Sequence, residues 1–385
     1  MKKKICIITG SRAEYGLLRP LVLAVKKEDN FILQLVATGM HLSPEFGLTY
    51  KEIESDGIII DEKVEMLLSS DTDTGIIKST GLGMIGFAGT FERLKPDLTV
   101  VLGDRFETFA ATTAAYLAKI PIAHLHGGEV TEGATDEGLR HAITKMSYLH
   151  FTSTEIYRKR VIQLGENPER VFNVGAIGID SIVTIEPLDK KWLADDLKFE
   201  LDSPFLLVTY HPVTLENNSA EEQFKELLQV LSAFPDLKII FTKPNADANG
   251  RIIITIIDNY VKENTGRAAS FVSLGQKRYL SLMKLAKAVV GNSSSGIIEA
   301  PSFGIPTVNI GDRQKGRERA SSVIDTHADK KSVIKAVKKA LSVNFQAFCK
   351  STKNVYGDGN TTSQILNILK NTPTPQDLKK QFYDL

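Results

Sequence analysis

Short runs of β-branched and other apolar residues alternate along the chain with longer segments whose apolar residues recur at helical spacing. The runs at 99–102 and 120–123 are almost continuously apolar, which is typical of parallel strands covered on both faces. Strands and helices in alternation favour a doubly wound α/β sheet with right-handed crossovers. A second series of the same kind begins near residue 205. The predicted strands are Lys4–Thr9, Phe31–Thr38, Leu98–Leu102 and Ile120–His124, then Phe205–Tyr210, Leu237–Thr242, Ala288–Gly291 and Thr307–Ile310, with predicted helices at Tyr15–Lys27, Glu107–Lys119, Glu137–Ser147, Ala220–Ser232, Ile252–Glu263, Lys277–Leu285 and Gly296–Phe303.

The two series indicate two Rossmann-like domains. With 385 residues, the chain exceeds the size that one hydrophobic core usually supports. A Gly-rich, turn-prone stretch, Val174–Pro187, separates the series, so the predicted N-terminal domain is 1–175 and the predicted C-terminal domain is 176–370. We expect the tail 371–385 to dock back on the first domain and a ligand to bind in a cleft between the domains.

Composition narrows the classes of partner. Lysine and arginine number 47 and aspartate and glutamate 46, so the net charge of +1 provides no long-range field for nucleic acid or an anionic membrane. Cys6 and Cys349 are too few and too far apart for a disulfide framework, and Cys6 is predicted to be a core residue. The basic N-terminus precedes an apolar run of only Ile5–Ile8, and no run is long enough to span a bilayer. We therefore expect a cytoplasmic protein that holds any anionic ligand by a few local groups.

Two glycine-rich stretches have the spacing of phosphate-binding loops, and one of them lacks the necessary context. Gly81–Gly86 matches G-x-G-x-x-G, but these glycines lie inside a long helical segment, roughly Thr74–Leu94, and do not follow a strand. We interpret them as positions of close helix packing, and we exclude a nicotinamide or flavin site on this evidence.

The second stretch, GNSSSG at 291–296, directly follows a predicted strand and opens a helix. Backbone N–H groups at a helix N-terminus attract phosphate, three serines add hydroxyl donors, and the glycines permit close backbone approach. The lysine of an ATPase P-loop is absent, and an ordinary serine N-cap is the alternative. Glu299 lies one turn further on, where its carboxylate can accept hydrogen bonds from both ribose hydroxyls. The sequence thus predicts a nucleotide-phosphate loop here.

Polar side chains follow several other predicted strands. Arg12, in GSRAEYG, lies at the carboxyl edge of the first sheet and can pair with a diphosphate, although a surface salt bridge is the alternative. Arg313, in GDRQKGR, follows the strand Thr307–Ile310 and is a second candidate. His211 ends the first strand of the second series and is either a ligand contact or a structural histidine. Asn245, after the next strand, is a candidate base or ribose contact.

Acids and histidines gather in the first domain. Asp104 and Arg105 of GDRFE place a carboxylate beside a guanidinium, which suits a general acid or base near an anion, whereas helix capping by Asp104 is the alternative. His126 and Glu129 of HLHGGE, with Asp136 downstream, add further ionisable groups. His-x-His near carboxylates can bind zinc, but no third ligand has diagnostic spacing, so we predict no metal site.

The chain closely resembles the UDP-N-acetylglucosamine 2-epimerase family, and its hydrolysing branch in particular, in the segments GSRAEYG, GDRFE, HLHGGEVTEGATDEGLRHAI, YHPVT and GNSSSGIIEAPSFGIPTVNIGDRQKGR. These segments run from residue 10 to 317, and their order and spacing are highly specific. The resemblance implies a glycosyltransferase-B-like fold with UDP in the cleft between the domains. It also implies UDP contacts from Arg12, Arg105, His211, Asn245, Ser293, Ser294, Glu299 and Arg313.

By the same resemblance, the reaction is anti elimination of UDP to a 2-acetamidoglycal, followed by hydration to the free 2-epimer. From UDP-N-acetylglucosamine the products are UDP and N-acetylmannosamine, a sialic acid precursor. Because no carbonyl acidifies the hydrogen at carbon 2, departure of UDP must lead, and proton donors and acceptors must serve both faces. We favour Asp104 and Asp136 for proton transfer, with Glu129 or His126 completing the set and His211 bonding the diphosphate. Many relatives have glutamate at the position of His126.

Other functions stay open. A hydrolysing 2-epimerase for UDP-2,4-diacetamido-trideoxyhexose, on the legionaminic acid route, shares every motif. A non-hydrolysing epimerase and a retaining glycosyltransferase are further enzyme alternatives, but the acidic HGGE–TDE cluster opposes the glycosyltransferase. A non-catalytic UDP-sugar sensor is a further alternative, but that function would not explain the ionisable groups at the strand ends. The expected partner is the UDP-sugar substrate, bound without a cofactor by a homodimer or homotetramer.

Overall fold

The computed structural model describes residues 2–70, 72–131, 135–212, 219–244, 250–375 and 378–385. The chain divides into two compact units. Unit 1 contains Met1–Glu129, Asp136–Val183 and Tyr356–Leu385, and unit 2 contains Val130–Thr135 and Thr184–Val355. The boundary between residues 175 and 176 stays a prediction about independently folding domains.

Unit 1 contains a parallel sheet with seven strands in the part of the chain that is described. In chain order these strands are β1 (Lys3–Thr9), β2 (Phe31–Thr38), β3 (Glu62–Val64), β4 (Leu98–Leu102), β5 (Ile122–Leu125), β6 (Leu149–Thr152) and β7 (Val171–Asn173). Across the sheet they follow the order 3-2-1-4-5-6-7, so the order reverses between β1 and β4. In doubly wound sheets, ligands bind beyond the carboxyl ends of the strands at such a reversal.

Helices cover both faces of this sheet. Ile5 and Ile7 of β1 belong to one hydrophobic core, and Cys6 and Ile8, which alternate with them, belong to the other. Burial on both faces explains why the strands read as continuous apolar runs, and it confirms Cys6 as a core residue. The helices of unit 1 are α1 (Arg12–Lys27), α2 (Tyr50–Ser55), α3 (Asp73–Leu94), α4 (Phe106–Leu117), α5 (Asp136–Met146), α6 (Glu155–Gln163), α7 (Ile177–Thr184) and, near the C-terminus, α15 (Thr361–Asn371).

The glycines of Gly81–Gly86 lie inside α3, as predicted. A Cβ atom at Gly83 would come within 2.7 Å of Met66 Cε and 3.1 Å of Ala110 Cβ, which belongs to α4. A Cβ atom at Gly86 would likewise come within 2.7 Å of Val64 Cγ1, whereas one at Gly81 would meet nothing within 4 Å. The interpretation as close packing is therefore confirmed for Gly83 and Gly86 and is wrong for Gly81.

Unit 2 contains a second parallel sheet, with six strands among its described residues. They are β8 (Phe205–Thr209), β9 (Lys238–Thr242), β10 (Ala268–Phe271), β11 (Ala288–Gly291), β12 (Thr307–Ile310) and β13 (Val323–Thr326), in the spatial order 10-9-8-11-12-13. The order reverses between β8 and β11. The helices are α8 (Lys190–Leu197), α9 (Ser219–Ser232), α10 (Gly250–Glu263), α11 (Gly275–Leu285), α12 (Ser294–Ile298), α13 (Lys330–Leu341) and α14 (Val343–Cys349). The doubly wound α/β class is thus confirmed for both units.

One predicted helix of unit 2 is wrong in its extent. The expected helix Gly296–Phe303 is a single α-helical turn, α12, followed by a 3-10 turn at Ala300–Phe303. Pro301 lies in the first turn of that 3-10 segment and has no N–H to continue the α-helical hydrogen bonds.

The last residues of the chain contact other parts of unit 1. Lys380 Nζ donates to Ser147 O at 2.6 Å and pairs with Glu166 Oε2 at 2.6 Å. Tyr383 N donates to Gly165 O at 3.0 Å. Within the described ranges, no helix combines the length and apolar character that crossing a bilayer requires.

Candidate active site

Three loops of unit 1 leave the carboxyl ends of adjacent strands. β4 pairs with β1 on one side and with β5 on the other. The loop after β1 leads directly to Arg12, the first residue of α1, and the loops after β4 and β5 carry Asp104 and His126, respectively. Because parallel strands end at the same edge of a sheet, the topology brings the predicted first-domain candidates to one edge, at the reversal of strand order.

A buried arginine joins two of the predicted acid motifs. Arg140, on α5, is 1% exposed, and its Nη2 pairs with Asp104 Oδ2. Its Nη1 donates to Glu129 O at 2.8 Å and to Glu137 Oε2 at 3.0 Å. A buried guanidinium requires such partners, since an unpaired charge in the interior is strongly destabilising. Arg140 therefore brings the Asp104 carboxylate close to the backbone of Glu129.

Asp104 itself remains partly accessible. Its side chain is 20% exposed, whereas the paired Arg140 side chain is 1% exposed. The alternative that Asp104 caps the next helix is wrong, because the N-cap position of α4 is Arg105. An accessible carboxylate held by a buried cation is suited to act on a bound molecule, and its role in proton transfer stays a prediction.

His126 and Glu129 form a direct pair. His126 Nδ1 lies 2.8 Å from Glu129 Oε1, and the Ile177 N–H points to His126 Nε2 at 3.4 Å. Since the backbone N–H must donate, Nε2 accepts and Nδ1 carries the proton that Glu129 accepts. Ser153 Oγ also donates to Glu129 Oε1, at 2.6 Å. His126 has a left-handed φ of 66°, which is uncommon for a residue with a side chain and requires support from its surroundings.

Asp136 is the first residue of α5 and is partly buried. Residues 132–134, which precede it, lie outside the described part of the chain. The helix that begins at Asp136 also carries Glu137 and Arg140, so it supplies both a predicted acid and the cation that holds Asp104.

Arg12 and Arg105, the two arginines of the first domain that are predicted to bind the diphosphate, are each ion-paired with a carboxylate. Arg12 Nε pairs with Glu52 Oε2 at 2.6 Å, and Arg12 is 14% exposed. Arg105 forms two bonds to the buried Glu107, Nε to Oε2 at 3.2 Å and Nη2 to Oε1 at 3.3 Å. The salt-bridge alternative for Arg12 is thus observed. Phosphate binding by either arginine stays a prediction, and it would compete with these carboxylates.

A further carboxyl group lies at the same strand ends. Glu14 Oε2 accepts a hydrogen bond from Gly10 N at 2.6 Å. Burial, followed by the negative charge of Glu107, raises the pKa of Glu14 to about 8, although the Gly10 hydrogen bond lowers it. The motif GSRAE contains this residue, but the sequence alone does not reveal that Glu107, 93 positions later, approaches it.

His124 is a structural residue. Its Nε2 bonds Gly103 O at 2.7 Å and its Nδ1 bonds Thr144 Oγ1 at 3.2 Å. Burial lowers the pKa of His124 to about 3, so the ring is neutral at physiological pH. The described residues contain no group of three histidine, cysteine or acidic side chains arranged to hold a metal ion.

In unit 2, the GNSSSG loop joins β11 to α12. Gly291 has a φ of 137°, and a Cβ atom there would overlap the carbonyl oxygen of Thr209 on β8. Ser293 is the N-cap of α12, and its Oγ accepts from Ser295 N at 3.4 Å. The serine N-cap, which was the alternative to a phosphate loop, is thus observed, and phosphate binding by the other N–H and hydroxyl groups of the loop stays a prediction. Because α12 is a single short helix, we expect these local donors, rather than a long helix dipole, to attract phosphate.

Glu299 is a buried acid at the C-terminal end of α12. It is 7% exposed, and burial raises its pKa to about 8. The neighbouring Tyr279 donates or accepts a hydrogen bond with Ser295 Oγ, and burial, then the charge of Glu299, raises the pKa of the Tyr279 phenol. Hydroxyl groups that donate hydrogen bonds to a buried carboxylate favour its ionised form and so oppose the effect of burial on its pKa.

Asn292 is the centre of a network that the sequence did not single out. It is fully buried, and its side chain forms two hydrogen bonds with the backbone of His211: His211 N to Oδ1 at 2.7 Å and Nδ2 to His211 O at 2.8 Å. Its carbonyl oxygen accepts from Arg313 Nη1 at 3.2 Å and from Gln314 Nε2 at 2.9 Å. Three of the predicted UDP-binding segments therefore meet at one asparagine.

The remaining second-domain candidate, Asn245, lies outside the described residues. Asn292 and Arg140 are the main residues that sequence reasoning missed. Asn292 stands inside the GNSSSG motif and Arg140 directly precedes a histidine in the acidic segment, so both lie in motifs of interest. Their partners are 81 and 36 positions away, which no local pattern reveals.

The chain is similar in sequence to a known protein family and to several named relatives. Residues 23–370 match a family model described as UDP-N-acetylglucosamine 2-epimerase. The chain is 46% identical over 385 residues, the full length of both proteins, to the GDP/UDP-N,N'-diacetylbacillosamine 2-epimerase (hydrolyzing) of Campylobacter jejuni subsp. jejuni serotype O:2. It is 38% identical to polysialic acid biosynthesis protein P7 of Escherichia coli, covering 100% of this chain and 98% of that protein. It is 36% identical to the UDP-N,N'-diacetylbacillosamine 2-epimerase (hydrolyzing) of Legionella pneumophila, covering 97% of each.

Solved structures show the same fold. A UDP-GlcNAc 2-epimerase of Methanocaldococcus jannaschii, in complex with UDP-GlcNAc and UDP, matches with a TM-score of 0.82 at 22% identity, covering 96% of this chain and 100% of that chain. A UDP-GlcNAc 2-epimerase of Neisseria meningitidis, bound to UDP-GlcNAc, matches with a TM-score of 0.80 at 19% identity and the same coverage. The predicted glycosyltransferase-B-like class, with two Rossmann-like parallel sheets, is confirmed by these likenesses.

Proposed function

We propose a specific reaction for this chain, which belongs to the UDP-N-acetylglucosamine 2-epimerase family and to its hydrolysing branch. The reaction is anti elimination of the nucleoside diphosphate from a nucleotide-linked 2-acetamido sugar, which gives a 2-acetamidoglycal. Addition of water to the glycal then releases the free sugar with inverted configuration at carbon 2. The observation that carries this proposal is the buried Arg140, which holds the Asp104 carboxylate beside the backbone of Glu129.

The order of bond breaking determines what the protein must supply. The hydrogen at carbon 2 is weakly acidic, so the bond from carbon 1 to the diphosphate oxygen breaks first and positive charge develops on the ring. A carboxylate near the ring stabilises that charge, and a base then removes the proton from carbon 2. We assign these tasks to Asp104 and Asp136, with the Glu129–His126 pair delivering or accepting the proton during hydration.

Unit 2 supports the proposal as a diphosphate and ribose site. The Ser293 and Ser294 region presents N–H and hydroxyl donors, and Arg313 is fixed next to this loop through the Asn292 carbonyl oxygen. We assign the diphosphate to these groups, with His211 as a further contact, and the ribose hydroxyls to Glu299. The contacts predicted for Arg12 and Arg105, which belong to unit 1, stay predictions. Cations and N–H donors around the leaving diphosphate stabilise the charge that it gains as the bond breaks.

The motifs do not determine which sugar or which nucleobase the substrate contains. The resemblance of the motifs implies UDP-N-acetylglucosamine, with the UDP-linked 2,4-diacetamido sugar as the alternative. The relatives that are 46% and 36% identical are both named for diacetylbacillosamine, which favours the 2,4-diacetamido sugar, and the first is named for GDP as well as UDP. We therefore propose a UDP- or GDP-linked 2-acetamido sugar as the substrate class. The homo-oligomeric assembly and the cytoplasmic location stay predictions.

The test is incubation in deuterium oxide with UDP-N-acetylglucosamine, UDP-N,N'-diacetylbacillosamine and the GDP-linked form of the latter, followed by proton NMR. We expect free nucleoside diphosphate and a free 2-epimer with deuterium at carbon 2 from one or more of the three. The free nucleotide with an undeuterated sugar would contradict elimination. An epimerised sugar that retains its nucleotide would assign the chain to the non-hydrolysing reaction, and the relative rates identify the sugar and the base.

A further inference from the structure

Three consecutive peptide carbonyls around Glu129 accept hydrogen bonds from three different arginines. Arg160 Nη1 donates to Gly128 O at 2.6 Å, Arg140 Nη1 donates to Glu129 O at 2.8 Å, and Arg317 Nε donates to Val130 O at 3.0 Å. Arg317 Nη2 also donates to Thr131 Oγ1 at 3.3 Å. We call Arg140, Arg160 and Arg317 the arginine clamp.

The clamp holds an unusual stretch of backbone. His126 and Gly128 both have a left-handed φ, 66° and 78°. Val130 and Thr131 are 7% and 3% exposed, so the stretch is buried although it belongs to no helix or strand. Bonds to successive carbonyls fix the planes of successive peptides, and these planes set the direction of the Glu129 side chain between them.

Arg317 differs from the other two arginines in its place in the chain. It is 8% exposed and follows Arg313 by four residues, in the turn after β12. Arg317 N donates to Gln314 O at 3.3 Å, and Gln314 Nε2 in turn donates to the carbonyl oxygen of Asn292 at 2.9 Å. One turn of unit 2 therefore carries both a proposed diphosphate ligand and the guanidinium that holds the residue after Glu129.

We propose that Arg317 is a positioning residue for proton transfer, which acts by fixing the backbone that directs Glu129. This inference rests on the proposed function, in which Glu129 and His126 handle a proton. Arg317 is not assigned a contact with substrate. Misplacing a proton-transfer group by a fraction of a bond length slows the chemical step while leaving nucleotide binding intact, because the two depend on different groups.

The test compares Arg317→Lys and Arg317→Gln with the wild type. Lysine keeps the charge but has one nitrogen in place of the planar fork, so it cannot reproduce both bonds. We expect kcat to fall by about 10- to 100-fold, with KM and the Kd for UDP within about threefold of wild type. Arg278→Lys, at a half-exposed arginine paired with Asp196, is the matched control and is expected to keep wild-type kcat.

A second pair of variants separates positioning from general stability. Thr131→Val removes the hydroxyl contact to Arg317 without changing the shape of the side chain, and Thr131→Ser keeps that contact. We expect kcat to fall in the valine variant and to recover in the serine variant. Equal kcat per folded molecule in all variants, with only a lower Tm for those at Arg317, would show a purely structural role and overturn the proposal. Loss of UDP binding together with kcat would also overturn it, by making Arg317 part of the nucleotide site.

Hydrogen exchange provides a readout that does not depend on turnover. We expect amide exchange across residues 126–131 to quicken by about tenfold in Arg317→Lys, and to stay unchanged in Arg278→Lys. Unchanged exchange in Arg317→Lys would refute the fixing of this backbone. A wild-type protein that acts on none of the nucleotide sugars would instead refute the proposed function, and the exchange result would still show whether Arg317 holds the segment.

Discussion

We predict that the buried acid Glu299 makes the affinity for UDP depend on pH. Burial raises its pKa to about 8, and its assigned task is to accept hydrogen bonds from ribose hydroxyls, which favours the ionised form. Below pH 8, UDP binding must therefore release a proton from the protein. At pH 6.5, about 1.5 units below that pKa, ionising the carboxyl group requires about 2 kcal/mol, so UDP binds about 30-fold more weakly than at pH 9.

The assay is isothermal titration calorimetry of UDP from pH 6 to 9 with the wild type and Glu299→Gln. The terminal phosphate of UDP also ionises, near pH 6, so the ratio of the two affinities isolates the contribution of Glu299. We expect the wild type to gain affinity relative to the glutamine variant as pH rises to about 8, and the ratio to level off above it. Titrations at pH 7 in buffers of different ionisation enthalpy should show release of about one proton more per UDP by the wild type than by Glu299→Gln. Parallel pH profiles for the two proteins would refute ribose binding by Glu299.

The same pKa has a consequence for stability that needs no ligand. Between the ordinary glutamate pKa of 4.5 and the folded-state pKa of about 8, the folded protein binds more protons at Glu299 than the unfolded chain. The contribution of this residue to the free energy of unfolding therefore falls as pH rises through that window. Glu299→Gln should raise Tm relative to the wild type at pH 8.5 and lose that advantage near pH 4.5. An equal difference in Tm at both pH values would contradict burial as the cause of the shift.

Three further substitutions, one of them with a control variant, test the two units separately. Asp104→Asn should lower kcat by about 100- to 10,000-fold with the Kd for UDP within about threefold, as expected for a proton-transfer group, and lost UDP binding would make Asp104 structural. Gly291→Ala forces a Cβ atom onto the carbonyl oxygen of Thr209 and should lower the free energy of unfolding by several kcal/mol, measured by urea denaturation. Gly266→Ala, which has the same sign of φ but open space around it, should cost only about 1 kcal/mol, and equal losses would argue against the overlap. Asn292→Ala removes two buried hydrogen bonds to neighbouring backbone, so we expect a loss of about 2 to 4 kcal/mol and weaker UDP binding, and unchanged UDP affinity in the folded variant would separate this network from the nucleotide site.

The longest elements were predictable from sequence because their physical causes are local. The runs Phe31–Thr38 and Leu98–Leu102 are strands with the predicted bounds. Leu98–Leu102 is buried throughout, as expected for a nearly continuous apolar run that is covered on both faces. The glycines of Gly81–Gly86 were recognisable as helical because helical periodicity continues on both sides of them. Five strands of the described ranges were missed: β3, β6, β7, β10 and β13. Each has only three or four residues, too few to show a period, whereas the equally short β5, β11 and β12 were recognisable because a glycine-rich polar turn follows each of them.

The candidate site was also predictable only in part. Sequence located the strand-end loops that carry Asp104, Glu129 and the GNSSSG turn, because a strand, a polar turn and a helix follow one another directly in the chain. Only the tertiary structure paired Asp104 with Arg140 and His211 with Asn292. The parallel order of the strands, which no single segment contains, determines which loops become neighbours. The partners of a buried charge or amide depend on that order, since such groups bond whatever polar atoms the fold brings within about 3 Å.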